Sequence, residues 1–352
     1  MLQRRALLLA ALALSQQARA LVPLQLQFPR DLGSHPDFRT EWWYVTGHAT
    51  SGARSFGFQL TFFRSRVAST QGMQSRFAAR QLLFAHAALT DLQGGKLWHD
   101  QRIAREGFGI ALADESDTGI RLHDWHLLRE GQDLVAELPG ADFGLHLRFR
   151  ETQPLLLQGD AGLSRKGPEP EQASYYYSVP QLATSGHLQL KGQRFAIDKQ
   201  TPARAWLDHE WSQALMHPDA VGWDWIGMNL TDGSALTAFH LRRADGSALW
   251  NGGSFRAPGA AARIFRDGEV VFTARRWWTS PLSQARYPVE WTVQTPAGRF
   301  TVRSLLDDQE LDSRSSTGAI YWEGVSDLFD AEGRHVGRGY LEMTGYTQRL
   351  RL

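Results

Sequence analysis

The sequence predicts an all-β protein made of antiparallel strands. Helical periodicity is nearly absent, short runs alternate apolar with polar residues, and Gly, Asp and Asn punctuate those runs. Alternation sends successive side chains to opposite faces of a strand, so one face of each run packs on a core while the other meets water or a second layer.

The chain opens with Met1-Leu2-Gln3-Arg4-Arg5, an apolar stretch from Ala6 to Leu14, and Ala18-Arg19-Ala20. A charged start, a short apolar run and an A-x-A site predict a signal peptide over 1–20 and export to the periplasm or beyond, with Arg4-Arg5 leaving a twin-arginine route open. That apolar run is well short of the roughly 20 residues a spanning helix needs. Strand-like runs then follow at 56–63, 81–90, 143–149, 186–190, 235–242, 269–273, 289–295, 300–305 and 340–344. Asp232-Gly233, Asp245-Gly246 and Asp267-Gly268 supply hairpin turns between candidate strands. The segment Ser164 to Gln172, containing Gly167-Pro168-Glu169-Pro170, reads as a loop that covers a cavity.

A length of 352 residues suits two domains. Their division is set near 190, giving an N-terminal unit over 21–190 and a C-terminal unit over 191–352. The reason is a short internal repeat: Glu41-Trp42 is followed by Leu60-Thr61-Phe62-Phe63-Arg64, and Glu210-Trp211 by Leu236-Thr237-Ala238-Phe239 with Arg242 and Arg243. Two copies of one barrel-like unit explain that pattern.

A formal net charge of +1 gives no electrostatic basis for binding nucleic acid or a polybasic membrane contact. The absence of cysteine excludes disulfides, thiolate metal sites and a cysteine nucleophile. There is no Walker A loop, no G-x-G-x-x-G after a strand and no G-x-S-x-G elbow; His209-Glu210 lacks the second histidine of a zincin, since position 213 is Gln. No cofactor and no metal are implied. His86, His99, His123, His126 and His240 lack ligand spacing. The partner these exclusions leave is an apolar, largely uncharged small molecule.

The chemistry-bearing segments are two acidic, tryptophan-rich knots, Glu41-Trp42-Trp43-Tyr44 and Asp208-His209-Glu210-Trp211. Carboxyls set among indoles either accept hydrogen bonds from them or have altered pKa values. In a strand, Asp208 and Glu210 share one face and His209 and Trp211 the other. Two carboxyls on one cavity wall resist ionising together, which supplies an acid and a base. Alternatively His209 faces the cavity, with Asp208 or Glu210 pairing an arginine such as Arg204. In Gly222-Trp223-Asp224-Trp225 the two indoles share a face and Asp224 opposes them. Arg64 is the natural counter-ion for Glu41, and Glu323 in Tyr321-Trp322-Glu323-Gly324 repeats the acid-beside-Trp theme as a partner across the interface between the units. The candidate catalytic residues are Asp208, His209, Glu210 and Asp224. The candidate ligand-binding residues are Trp42, Trp43, Tyr44, Tyr176, Trp211, Trp223 and Trp225.

Together with Gln59-Leu60-Thr61-Phe62-Phe63-Arg64 and Gly339-Tyr340-Leu341-Glu342-Met343-Thr344-Gly345-Tyr346, these segments resemble the AttH-domain family of exported lipocalin-like proteins. The resemblance implies two lipocalin-like antiparallel β-barrels packed together. It also implies kinship to carotenoid 1,2-hydratases, to proteins labelled secreted hydrolases, and more distantly to fungal cyclisation catalysts. By resemblance, His209 and Trp211 fall where hydratase members need a histidine and a tryptophan, with an acid further along for which Asp224 is the candidate.

Two functions follow. Acid–base hydration of an isoprenoid-like double bond needs an acid, a base for water and aromatic faces for the developing cation. The same aromatic cavity equally serves a carrier or chaperone of a lipid-like ligand, one that loads a membrane-associated transport machine. A secreted hydrolase ranks behind both for want of a nucleophile.

Overall fold

The computed structural model describes residues 21–350, so the signal peptide expected over 1–20 lies outside the described residues. Nearly all regular structure is antiparallel strand, with two short 3-10 turns at Arg30–Leu32 and Ala68–Thr70. The strands form two sheets, one 14-stranded and one 10-stranded.

The first sheet runs, neighbour by neighbour, through Lys96–Arg105, Gln81–Asp91, Arg54–Arg66, Thr40–Ser51, Arg204–Ala214, Ala173–Leu190, Phe143–Arg150, Asp133–Leu138, Trp125–Glu130, Gly119–Leu122 and Ala111–Ala113. Its ends come back together: Gly107 bridges Ala111, and the Arg102 guanidinium lies 4.5 Å from the centre of the Trp125 ring. The result is a nearly closed barrel. Its interior is filled by alternate residues such as Trp43, Val45, Phe58, Leu60, Phe62, Leu147, Phe149, Leu207 and Trp211.

The second sheet runs through Arg263–Phe265, Ala248–Arg256, Ala235–Arg242, Gly222–Leu230, His335–Met343, Ala319–Phe329, Gly298–Ser304, Arg286–Thr295 and Val271–Thr279. Here the ends do not pair, which corrects the expectation of two lipocalin-like barrels. The fold is all-β, with one nearly closed barrel and one open sheet. The reason lies in the terminal strands. Arg263–Phe265 has only three residues, too short for a closing ladder, and Val271–Thr279 alternates exposed with half-buried residues along its whole length, as an edge strand does.

The internal repeat also has a different origin. Arg204–Ala214 is not the start of a second barrel but a central strand of the first sheet, lying directly beside Thr40–Ser51 with Trp42 opposite Glu210, Trp43 opposite His209 and Tyr44 opposite Asp208. The two knots are therefore neighbours in one wall. The sheet changes only between Ala214 and Gly222.

The outer face of that wall packs on the second sheet through a third apolar cluster that includes Tyr44, Trp206, Trp225, Phe239, Val325 and Tyr340. Buried hydrogen bonds cross the contact: Gln181 N–H donates to Asn229 Oδ1 at 2.7 Å, Thr90 Oγ1 to Gln309 Oε1 at 3.0 Å, and Ser254 Oγ to Gln158 Oε1 at 2.9 Å. Gly57 permits the approach, since a Cβ there would fall 2.7 Å from the Tyr340 hydroxyl and 2.8 Å from Val325.

Candidate functional site

Between the barrel wall and the second sheet lies a cavity of about 320 Å³. Alternation builds it. On Thr40–Ser51 and Arg204–Ala214 the even-numbered residues face outward, so Trp42, Tyr44, Asp208 and Glu210 line the cavity. Tyr176 joins them from the neighbouring strand, where it stands opposite Glu210. The second sheet contributes Trp223, Trp225, Phe239, Tyr321, Glu323 and Glu342.

Asp208 is buried and receives three donors: the Tyr176 hydroxyl on Oδ2 at 2.7 Å, and the Ser178 hydroxyl and Trp206 Nε1 on Oδ1, each at 2.6 Å. Burial dominates, so its pKa is pushed up to about 7 although those donors oppose the rise. It has no ion-pair partner among the described residues. Glu210, two residues on, lies 3.2 Å from the Lys166 ammonium. That ammonium also sits 4.6 Å from the Tyr176 ring centre and 4.3 Å from Phe239.

Lys166 comes from the segment expected to cover a cavity. It follows the short strand Leu163–Arg165, and its N–H donates to the Gln172 carbonyl at 2.7 Å, closing the loop. Glu323 and Glu342 face each other across adjacent strands. Burial raises both pKa values, Glu342 to about 8 and Glu323 well above its ordinary value, and the charge of Glu342 adds to the rise of Glu323.

His209, Trp211 and Trp43 point the other way, into the barrel. There Glu41 accepts from Ser34 Oγ at 2.9 Å, His35 N–H at 2.9 Å and Arg64 Nε at 2.8 Å, and meets His35 Nδ1 at 2.7 Å and His209 Nε2 at 3.0 Å. Burial tends to raise the Glu41 pKa, but the hydrogen bonds from His209 and His35 and the charge of Arg64 outweigh it and hold the carboxyl well below its usual range. His209 stacks on Trp43, and its Nδ1 meets the Tyr177 hydroxyl at 3.0 Å; burial lowers its pKa to about 4. His35 Nδ1, Glu41 and His209 present ligand atoms within 4.8 Å of one another. As a metal site this set fits poorly, because a guanidinium already holds the carboxylate and both oxygens are taken by donors.

Asp224 stands outside the cavity. Trp223 and Trp225 line the cavity, so the intervening acid faces away from it and meets His240, Arg242 Nε at 2.7 Å and the Tyr346 hydroxyl at 2.9 Å. Burial pushes its pKa up, but the Arg242 charge and the hydrogen bonds from His240 and Tyr346 bring it below the usual value. It is an ion-paired acid inside the second sheet.

Sequence reasoning named no role for Lys166 or Glu342. Glu342 had a readable signal, since it shares a strand face with Tyr340 in the Gly339 to Tyr346 segment. Lys166 had none, because its loop gives no periodicity.

A nearly closed β-barrel, packed on a second sheet around an aromatic cavity with buried acids, defines a fold suited to a hydrophobic ligand. The AttH-like family model matches residues 19–346, and the chain belongs to that family. It is 44% identical to an AttH protein from Nitrosomonas europaea of known structure, covering 94% of this chain and 100% of that one with a TM-score of 0.86. At 15% identity the fold is shared with kievitone hydratase from Nectria haematococca, covering 95% of each chain with a TM-score of 0.70. It is shared also with CghA solved with Sch210972, at 12% identity, 87% and 88% coverage and a TM-score of 0.53. No curated protein matches the sequence.

Proposed function

We propose that this protein is an exported enzyme that binds an apolar, isoprenoid- or lipid-like molecule between its two sheets and adds water across a double bond. The observation that carries the reading is Asp208, a buried carboxyl whose raised pKa leaves much of it protonated near neutrality, two residues from Glu210 on one aromatic cavity wall. In the reaction, Asp208 gives its proton to one alkene carbon. Positive charge develops on the other carbon, against the faces of Trp42, Tyr176, Trp223 and Trp225. Glu210, held beside Lys166, takes a proton from water as the water oxygen bonds to that carbon. Hydrogen and hydroxyl have then been added across the double bond, and proton exchange between the two carboxyls restores the starting state. His209, on the inner face of the same strand, positions Asp208 and Glu210 rather than touching the substrate.

The fold shared with a hydratase supports this direction without identifying the substrate. The test begins with native mass spectrometry of protein purified from its own host, followed by turnover of the co-purifying molecule in heavy-oxygen water. A mass gain of one labelled water is expected, and its loss in Asp208→Asn and Glu210→Gln with binding retained. Full activity in both variants removes the mechanism.

A non-catalytic carrier is the second reading. The three donors already occupying both Asp208 oxygens favour it, since they give that carboxyl a purely structural use. A bound molecule released unchanged from wild-type protein would support the carrier.

A further inference from the structure

The formal net charge of +1 hides one strongly cationic region of the barrel. No Asp or Glu occurs from Trp42 to Thr90, and the loop that joins Arg54–Arg66 to Gln81–Asp91 carries Arg76 and Arg80. That loop is exposed without a break from Gly72 to Phe77, with Phe77 itself 64% exposed. The Phe77 ring stacks on Phe108, 45% exposed, with centres 5.5 Å apart. Guanidiniums flank the pair: Arg105 lies 4.1 Å from the Phe108 ring centre and 5.5 Å from that of Phe77, and Arg76 lies 5.7 Å from both. Met73, 49% exposed, stands on the same loop, and its carbonyl accepts from Arg80 Nη2 at 2.8 Å. Among the described residues, Arg76, Arg80 and Arg105 meet rings and carbonyls rather than carboxylates.

Phe108 is held outward under strain. It sits between Gly107 and Gly109, and all three have positive φ, 104°, 61° and 72° in chain order, a conformation that a bulky side chain avoids. Strain of this kind, spent on putting a phenyl into water, points to a use for the exposed ring. The patch also continues into the cavity. Arg105 pairs with Leu82 and Ile103 with Phe84, and Leu82, Phe84 and Ile103 all line the cavity. Ile103, 44% exposed, marks its mouth.

A second copy meeting this patch face to face would set arginine against arginine. An anionic bilayer satisfies both halves of the patch, since its phosphates take the guanidiniums and its acyl boundary takes the rings. We propose that Met73, Phe77 and Phe108, with Arg76, Arg80 and Arg105, dock this protein on an anionic lipid bilayer, with the cavity mouth at Ile103 turned toward the membrane. The docking holds for an enzyme and a carrier alike.

Sedimentation of protein purified from its own host tests it, with vesicles of phosphatidylcholine alone and of equal parts phosphatidylcholine and phosphatidylglycerol. Binding to the anionic vesicles is expected, weakening as salt rises, with little binding to the neutral ones. Phe77→Ser and Phe108→Asn should each weaken it about tenfold, and Arg76→Gln about fivefold. Asn tolerates the backbone conformation of Phe108, so that variant keeps the fold. Trp277→Ser should bind like the wild type, although it removes an indole 47% exposed on the edge strand Val271–Thr279, with Arg286 5.2 Å from its ring centre. Wild-type protein left in the supernatant by anionic vesicles overturns the proposal and leaves the patch to an acidic protein. Equal binding to both vesicles overturns it too, as do loop variants that bind like the wild type or a Trp277→Ser loss as large as theirs. Turnover and ligand release are read separately, so failure here leaves the proposed function standing.

Discussion

On the strand Arg204–Ala214, His209 and Trp211 turn into the barrel while Asp208 and Glu210 turn toward the second sheet, and a buried carboxyl lies on each side. Inside, Glu41 is held by a guanidinium, two imidazoles, a hydroxyl and a backbone N–H, and its pKa is pulled down. Outside, Asp208 has three neutral donors and no cation, and its pKa is pushed up. Equal burial thus yields opposite protonation, because only formal charge or multiple charge-assisted hydrogen bonds outweigh desolvation. The inner cluster is fit to hold the barrel wall together, and the outer one to move a proton.

The largest expected effect is on the inner face. Glu41→Gln should destabilise the protein by about 3–5 kcal/mol in urea unfolding, because it strands Arg64 in a buried site. If it costs no more than Asp208→Asn, the division of the two faces fails. Next, Asp208→Asn should lower turnover of the identified substrate by roughly 100-fold, about 2.7 kcal/mol of barrier, while leaving the unfolding midpoint near that of the wild type.

The pH dependence of stability sharpens the contrast. The Asp208 pKa rises from 3.8 to about 7 on folding, so the stability it contributes is full below pH 3.8 and is lost as pH climbs through 7. Glu342, raised from 4.5 to about 8, has the same sign. His209 falls from 6.5 to about 4, so its contribution is full above pH 6.5 and is lost as pH falls through 4. The slopes oppose each other between pH 4 and 6.5, and Asp208→Asn, which removes one of the falling contributions, should make the melting temperature fall less with rising pH across that window than in the wild type. A variant profile with the same slope as the wild type's contradicts the assignment. The smallest effect is expected for Trp223→Phe, which should weaken ligand binding by about 0.5–1.5 kcal/mol in a fluorescence titration and leave folding unchanged.

Strand alternation accounts for most of what the sequence made legible. The all-β class, the opposed faces of Asp208 and His209, and the shared face of Trp223 and Trp225 all follow from period-2 patterning in named segments, while the family was legible as a resemblance carried by the ordered motifs themselves. That the second sheet stays open was not legible, because a short strand such as Arg263–Phe265 looks alike whether it closes a barrel or ends a sheet. Pairing the knots as repeats misread two neighbours in one wall as two copies of a domain, since sequence similarity carries no record of which strands share hydrogen bonds. Asp224 was named by resemblance, as the acid further along, and its opposition to the two indoles was legible, but His240, 16 residues on, and Arg242 decide its charge, and their approach is tertiary.

By itself, then, the sequence determined local conformation and the direction of each side chain relative to its strand neighbours, because those depend on backbone geometry and on residues two apart. Only the tertiary structure decided which of the two faces of Arg204–Ala214 meets a cavity, that Lys166 and Glu342 converge there with Asp208 and Glu210, and which carboxyls find a cation. Desolvation and Coulomb interaction act through space, and strands far apart in the chain supply the groups that set them.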